Sequence, residues 1–159
     1  MKRIFLLTVL LVLAGNSWAQ SGANSVDVLG KMLYTAIKTN NFNLLNKYCL
    51  SEEQLTQLQQ QSQSVTPDQT TALTATDYQT QLQTNFKDTI LQRSSDTLSW
   101  KGVGLKHVKF LTPEPGTTQK QQASLQLTDD RERDFMVLFD VLPYNNSYYF
   151  MGNIKLANK

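Results

Sequence analysis

The pattern of apolar positions in the first half of the chain, after an N-terminal apolar segment, is that of helices. From Ser25, a plausible N-cap, apolar residues recur at intervals of three and four and would form one helical face. That face comprises Val26, Leu29, Leu33, Ala36 and Ile37. The polar residues 39–41 predict a turn, and a second short helix follows. Its apolar face would hold Phe42, Leu45, Tyr48 and Cys49.

Two further helices are predicted on either side of a polar connection. Ser51 and Gln54 form a capping box that opens the first of them. Residues 59–76 are rich in Gln and Thr and predict a polar connection, in which residues 66–69 would cap a short helix. Asp77 is the expected N-cap of a longer helix. The apolar face of that helix repeats every four residues, at Tyr78, Leu82, Phe86 and Ile90, with Arg93 as a further candidate.

From Trp100 the apolar period shortens from about four residues to two, which is typical of strands. Four strands are predicted, separated by turns at residues 113–116, 129–132 and 143–147. The positions expected to face the core are Val108 and Phe110, then Ala123, Leu125 and Leu127, and finally Tyr148, Phe150, Ile154 and Leu156. The third strand, residues 135–142, is apolar on both faces, which indicates a central position in the sheet.

Helices followed by an antiparallel meander predict an α+β fold, with the helices packed on one face of a curved four-stranded sheet. Residues 34–48, YTAIKTNNFNLLNKY, resemble the opening helical hairpin of the NTF2-like (cystatin-like) superfamily, and four terminal strands fit its sheet. The resemblance implies a cone-shaped pocket between sheet and helices, which members use for small ligands, catalysis or dimerisation. No catalytic constellation of the superfamily matches residue by residue, so none is carried over.

The first nineteen residues have the pattern of a bacterial secretory signal peptide. Lys2 and Arg3 precede the apolar residues 4–14, and small residues at Ser17 and Ala19 favour cleavage before Gln20. An uncleaved membrane anchor is the alternative. We therefore expect export to the periplasm or the medium, with residues 20–159 forming a single domain.

Charge and composition exclude several classes of function. The signal segment takes two of the fifteen basic residues and none of the thirteen acidic ones, which leaves a formal charge of zero. This balance gives no electrostatic footprint for nucleic acid, and no later apolar stretch is long enough to span a membrane. One Cys and one His exclude a structural zinc site built from those ligands. The sequence therefore predicts no cofactor and no metal.

His107 and Asp140 are the weak candidates for catalysis. His107 is the only histidine; it would act as a general base if it faced a pocket near a carboxylate, but the solvent side of a strand is favoured. Asp140 interrupts an apolar strand and needs a partner, a pocket or solvent, and exposure at an edge or bulge is favoured. The charged residues 129–134 are interpreted as a solvated turn rather than a calcium site.

Tyr144, Tyr148 and Tyr149 are the weak candidates for ligand binding, as a rim or as a dimer contact. Ordinary packing is favoured, and alternation places Tyr148 inside and Tyr149 outside. Cys49 is interpreted as a small core residue rather than a nucleophile, because no motif supplies it with a base.

These observations predict an exported, non-catalytic module that binds a small apolar ligand or an envelope protein through a pocket between sheet and helices. A homodimer is left open. The alternative is a small hydrolase-like or isomerase-like enzyme that uses His107 and Asp140 as an acid–base pair. That alternative requires both side chains in one cavity, within hydrogen-bond reach directly or through one water.

Overall fold

The computed structural model describes residues 22–63, 74–95, 100–111 and 121–157. Its helical elements are α1 (Val26–Thr39), a 3₁₀ helix (Phe42–Tyr48), α2 (Glu52–Gln63), α3 (Ala75–Ser95) and a short 3₁₀ helix (Trp100–Gly102). Its strands are β1 (Gly104–Phe110), β2 (Gln121–Thr128), β3 (Asp134–Tyr144) and β4 (Ser147–Ala157), in one antiparallel sheet of order β1-β2-β3-β4. The predicted α+β class and four-stranded sheet are confirmed.

Some sequence predictions fall outside the described residues. These are the signal segment, the capping box at residues 66–69 and the turn at residues 113–116. Within the described part of the chain, no helix combines the length and apolarity needed to cross a membrane.

Helix α1 begins and ends as its sequence predicts. The Ser25 hydroxyl accepts a hydrogen bond from the Val28 N–H at 3.2 Å, and all five predicted apolar positions are buried. Asn40 ends the helix in the left-handed region (φ 49°), a conformation that asparagine tolerates. The predicted second short helix is present as a 3₁₀ helix of seven residues, between Asn41 and Cys49, both in extended backbone.

Helices α2 and α3 shorten the predicted polar connection from both ends. The Ser51 hydroxyl accepts from the Gln54 N–H and the Gln54 side chain accepts from the Ser51 N–H, so the predicted capping box is present. Helix α2 continues to Gln63. Helix α3 starts at Ala75, because Thr74 rather than Asp77 is the N-cap: its hydroxyl accepts from the Asp77 N–H at 3.1 Å. Asp77 therefore lies three positions into the helix, where its Oδ2 accepts a hydrogen bond from the Thr74 hydroxyl at 2.8 Å.

At Gly30 the backbone of helix α1 lies directly against side chains of the sheet. A Cβ atom at this position would lie 2.5 Å and 2.7 Å from the two methyl groups of Val108 and 3.0 Å from Leu125 Cδ2. The core around this contact consists of fully buried side chains from α1 and the central strands. They include Leu29, Leu33, Ile37, Leu125, Leu127, Val137, Phe139 and Phe150, each at most 1% exposed.

Helix α3 lies along β4, the edge strand. The four predicted apolar positions of α3 are buried, and Phe86 meets Phe42 edge to face at 5.5 Å between ring centroids. The side chain of Arg93 lies outside the described part of the chain. Strands β3 and β4 meet at Asn145 and Asn146, both with positive φ, so the turn is shorter than the predicted 143–147.

Candidate functional site

His107 lies on the exposed side of β1. It pairs with Gln126 of β2, and a register shift separates it from Leu105. This register shift is a β-bulge. Beyond it the side chains of β1 alternate between the two faces of the sheet, so Val108 faces helix α1 and His107 faces away from it. The favoured solvent-side position of His107 is therefore the one observed, and its side chain is exposed.

Asp140 is buried, which contradicts the favoured expectation that a bulge would expose it. Asp140 is only 2% exposed, and its Oδ2 accepts a hydrogen bond from Asn153 Nδ2 at 2.7 Å. Register shifts flank Asp140 on both sides, opposite Gly152 of β4. The bulge thus places the Asp140 carboxyl group beside a hydrogen-bond donor rather than in solvent.

The sheet does not bring His107 and Asp140 together. The ladder aligns His107 with Gln126 and Met136, whereas Asp140 lies four residues further along β3. Strand geometry makes this about 13 Å along the sheet and about 10 Å across it, so the two residues are roughly 16 Å apart. Neither a direct hydrogen bond nor one bridging water spans that distance.

Tyr144 and Tyr149 join the sheet to α2. The Tyr144 hydroxyl donates to Gln57 Oε1 at 2.6 Å, and Gln54 Nε2 donates to the Tyr149 hydroxyl at 3.0 Å. The two rings meet edge to face, 6.5 Å apart. Tyr149 is only 3% exposed, so the predicted outward position of Tyr149 is wrong, because these contacts with α2 lie on the face that alternation alone assigns to solvent.

Tyr148 is half-buried rather than inside, and it contacts a residue that the sequence did not single out for binding. Its ring lies 6.1 Å from that of Phe110 in β1. Phe110 is 38% exposed and the next residue, Leu111, is 44% exposed. Alternation predicted Phe110 as a core residue. The only sequence signal for its exposure is its place in the first strand of the meander, because the first strand of a meander lies at an edge of the sheet.

Cys49 is a core residue, as predicted. It is fully buried, and its Sγ donates to the Leu45 carbonyl at 3.4 Å. Burial raises the pKa of the Cys49 thiol to about 12, and a hydrogen bond with Tyr78 lowers it only in part. A thiol in this state lacks the thiolate character that nucleophilic catalysis needs.

We predict that Cys49 reacts with maleimide only when the protein opens. With a pKa of about 12, roughly one thiol in ten thousand is ionised at pH 8 in the folded state. Mass spectrometry should find the native protein unlabelled over minutes and the urea-unfolded protein fully labelled. Rapid labelling of the native chain at the unfolded rate would contradict the core assignment.

Asp129 organises the charged turn between β2 and β3. Its Oδ1 accepts from the N–H groups of Arg131 and Arg133, each at 2.9 Å, and its Oδ2 accepts from Arg133 Nε at 3.0 Å. Desolvation raises the pKa of the Asp129 carboxyl, but these hydrogen bonds and the Arg133 charge outweigh it, so the pKa lies below its ordinary value. The Asp129 carboxylate therefore organises the turn through these hydrogen bonds.

We predict that Asp129→Asn destabilises the protein at neutral pH and not in acid. Because folding lowers this pKa, the carboxylate's contribution is present above the unfolded value of about 3.9 and is lost as the pH falls through the lower folded value. Urea unfolding at pH 7 and pH 2 should show the difference from wild type shrinking toward zero in acid. The exposed neighbour gives a matched control, Asp130→Asn, which should leave stability unchanged at both pH values.

Among the described residues, no three His, Cys, Asp or Glu side chains are grouped so as to hold a metal ion. Comparisons of this chain with protein families, with curated proteins and with solved structures give no match. The function therefore has to be argued from the geometry of the fold itself.

Proposed function

We propose that the chain is an exported, non-catalytic interaction module with an NTF2-like fold, and that it binds a protein of the cell envelope rather than a small apolar ligand. The observation that carries the proposal is the close contact between α1 and the sheet. At Gly30 the helix backbone lies directly on Val108 and Leu125, with no space for a further methyl group.

A ligand pocket of the usual kind would occupy this same layer. Pockets for small molecules typically enclose about 300 Å³ or more. Between α1 and the sheet, however, Leu33, Phe139 and Phe150 are at most 1% exposed and belong to one core cluster, in which the rings of Phe139 and Phe150 lie 5.8 Å apart. A filled layer favours recognition at the surface, where a protein partner binds.

Support for the NTF2-like assignment comes from element order. A helical pair opens the domain and a four-stranded antiparallel meander closes it. In this proposal residues 1–19 are the cleaved signal peptide, and residues 20–159 form one domain whose curved sheet is partly wrapped by the helices. The enzyme alternative has no comparable support, because His107 and Asp140 lie on distant parts of the sheet.

Export is tested by expressing the full chain in a bacterial host and measuring the intact mass in each fraction. We expect a periplasmic or extracellular protein that begins at Gln20. A full-length chain that stays in the membrane fraction, with residues 1–19 attached, would overturn the exported state in favour of an N-terminal anchor.

Native mass spectrometry of the protein purified from its own host tests the kind of partner. We expect a complex of one chain with one envelope protein, preserved by mild cross-linking before lysis. A small apolar molecule that co-purifies at one per chain would overturn the choice of a protein partner. A stable homodimer without a second protein would overturn it as well.

A further inference from the structure

The two edges of the sheet differ in how far they are covered. At the β4 edge, Ala23 exchanges two backbone hydrogen bonds with Tyr148, at 2.9 Å and 2.8 Å. Further along, the Tyr78 hydroxyl donates to the Phe150 carbonyl, and the Thr89 hydroxyl donates to the Ile154 carbonyl at 2.9 Å. Backbone groups along β4 are therefore already bonded, which protects this edge from strand pairing.

Within the described residues, the β1 edge is open over its second half. The Leu111 N–H donates to the Gln122 carbonyl at 2.9 Å, in register with the pair Phe110 and Ala123. Hydrogen-bonded and non-hydrogen-bonded pairs alternate in an antiparallel ladder, so the backbone N–H and C=O groups of Val108 and Phe110 point away from β2. Within the described residues, β2 is the only strand that pairs with β1.

The backbone just before β1, in contrast, already has hydrogen-bond partners. The Val103 carbonyl accepts from the Tyr34 hydroxyl at 2.7 Å and from Lys38 Nζ at 3.3 Å, both from α1. The accessible part of the edge therefore lies beyond this point. We call residues 107–111 the β1 edge surface.

The side chains of the β1 edge surface combine apolar and basic character. Phe110 and Leu111 are 38% and 44% exposed, and Val108 is half-buried. His107 and Lys109 are exposed on the opposite side of the strand, and residues 107–111 contain no acidic residue. Alternation along the strand places Val108 and Phe110 on one face, and His107, Lys109 and the apolar Leu111 on the other.

We infer that the partner adds an extended segment of alternating apolar and acidic residues to β1. This inference rests on the proposed function and specifies its binding site. The backbone groups of Val108 and Phe110 supply the hydrogen bonds of β-augmentation, which is sequence-independent. Apolar side chains of the partner lie beside Phe110, and its carboxylates lie beside Lys109, where opposite charges stabilise cross-strand pairs.

A second copy of the chain is a poorer occupant of this edge. Antiparallel pairing of β1 with its own copy would bring the two Lys109 side chains onto one face of the same ladder. Like charges on neighbouring strands are destabilising. The charge of the strand therefore selects an acidic partner over self-association.

The probes are two fluorescein-labelled nine-residue peptides, one alternating Val with Glu and the other alternating Val with Lys. Binding to the exported full chain is followed by fluorescence anisotropy at low salt. We expect the Val/Glu peptide to bind at least tenfold more tightly than the Val/Lys peptide. Hydrogen exchange should show fast amides at Val108 and Phe110 in the free protein and slowed exchange with the Val/Glu peptide bound.

Two protein variants and a matched control locate the site. Phe110→Pro removes an outward-facing N–H without taking a bond from β2, and it should reduce binding at least tenfold. Lys109→Glu should reverse the preference between the peptides. Lys87→Glu, an exposed position on α3, changes the net charge equally and should leave both affinities unchanged. A Val/Glu peptide N-methylated at its ladder-facing residues tests the same bonds without altering the protein, and it should not bind.

Equal affinity for the two peptides, no binding of either, or binding that survives both Phe110→Pro and N-methylation would overturn the inference. A dimer whose Val108 and Phe110 amides are protected without peptide would overturn it too. If the peptides fail while native mass spectrometry still finds an envelope partner, the proposed function stands and only its placement at β1 falls. If the peptides bind as expected but no partner is found in the host, the proposed function fails instead.

Discussion

Replacing Phe139 with alanine is expected to lower the free energy of unfolding by about 3–5 kcal/mol. Phe139 is fully buried in β3, and its ring lies 5.8 Å from that of Phe150 in β4. Removing it takes away both the transfer free energy of the ring and the contacts that surrounding side chains make with it. Urea denaturation at neutral pH, with the slope compared between variants, measures the loss.

The same substitution at Phe110 is the matched control. Phe110 is 38% exposed, so Phe110→Ala should cost only about 1 kcal/mol. The comparison also bears on function. If Phe139→Ala cost as little as Phe110→Ala, the layer between sheet and helices would be loosely filled. That result would favour the small-ligand alternative over a protein partner.

Gly30→Val should destabilise the protein by about 3 kcal/mol, since the added side chain has to displace α1 from the sheet. A Cβ alone would lie 2.5 Å from one methyl group of Val108. Valine also has a low helix propensity because its branched side chain loses rotamer freedom in a helix. Thermal unfolding followed by circular dichroism should show a clearly lower midpoint for this variant.

A double-mutant cycle separates the steric cost at Gly30 from the effect on helix propensity. In the Val108→Ala background the neighbouring methyl groups are absent, so the cost of Gly30→Val should fall by at least about 1 kcal/mol. An unchanged cost in both backgrounds would show that helix propensity, rather than contact with β1, makes glycine necessary at this position.

Features that depend on nearby residues were predictable from the sequence. Ser25 caps α1, and Ser51 and Gln54 form the capping box of α2. Both interactions join residues three apart, so each can be recognised in the sequence. The alternation of β2 likewise predicted the buried positions 123, 125 and 127. Such patterns involve residues of a single helix or strand, so they can be recognised in the sequence without knowledge of the tertiary structure.

Features that depend on tertiary contacts were not predictable. Tyr149 is buried because Gln54, 95 residues earlier, reaches its hydroxyl. Asp140 is buried because a bulge in the β3–β4 ladder places Asn153 beside it. Neither the covering helix nor the ladder register leaves a local signal in the sequence. Alternation therefore placed Tyr149 outside, and the expected edge or bulge placed Asp140 in solvent, and both assignments were wrong.

The candidate site was the least predictable part. The sequence directed attention to His107 and Asp140 as chemical groups, and the ladder separates them. The β1 edge surface became visible only once the strand order placed β1 outside β2 and the covered edge at β4. A sequence pattern predicts a strand, but the strand order of the folded sheet determines which strand lies at an edge.

The contacts of Ala23, Tyr78 and Thr89 along β4 also limit stoichiometry. A sheet with two free edges can pair with other chains on both sides, whereas a sheet with one free edge can pair on one side only. In the described part of this fold, the hydroxyl groups of α3 close one side. If a partner strand adds at β1 as proposed, the contacts along β4 therefore keep a second chain from adding at the opposite edge of the sheet.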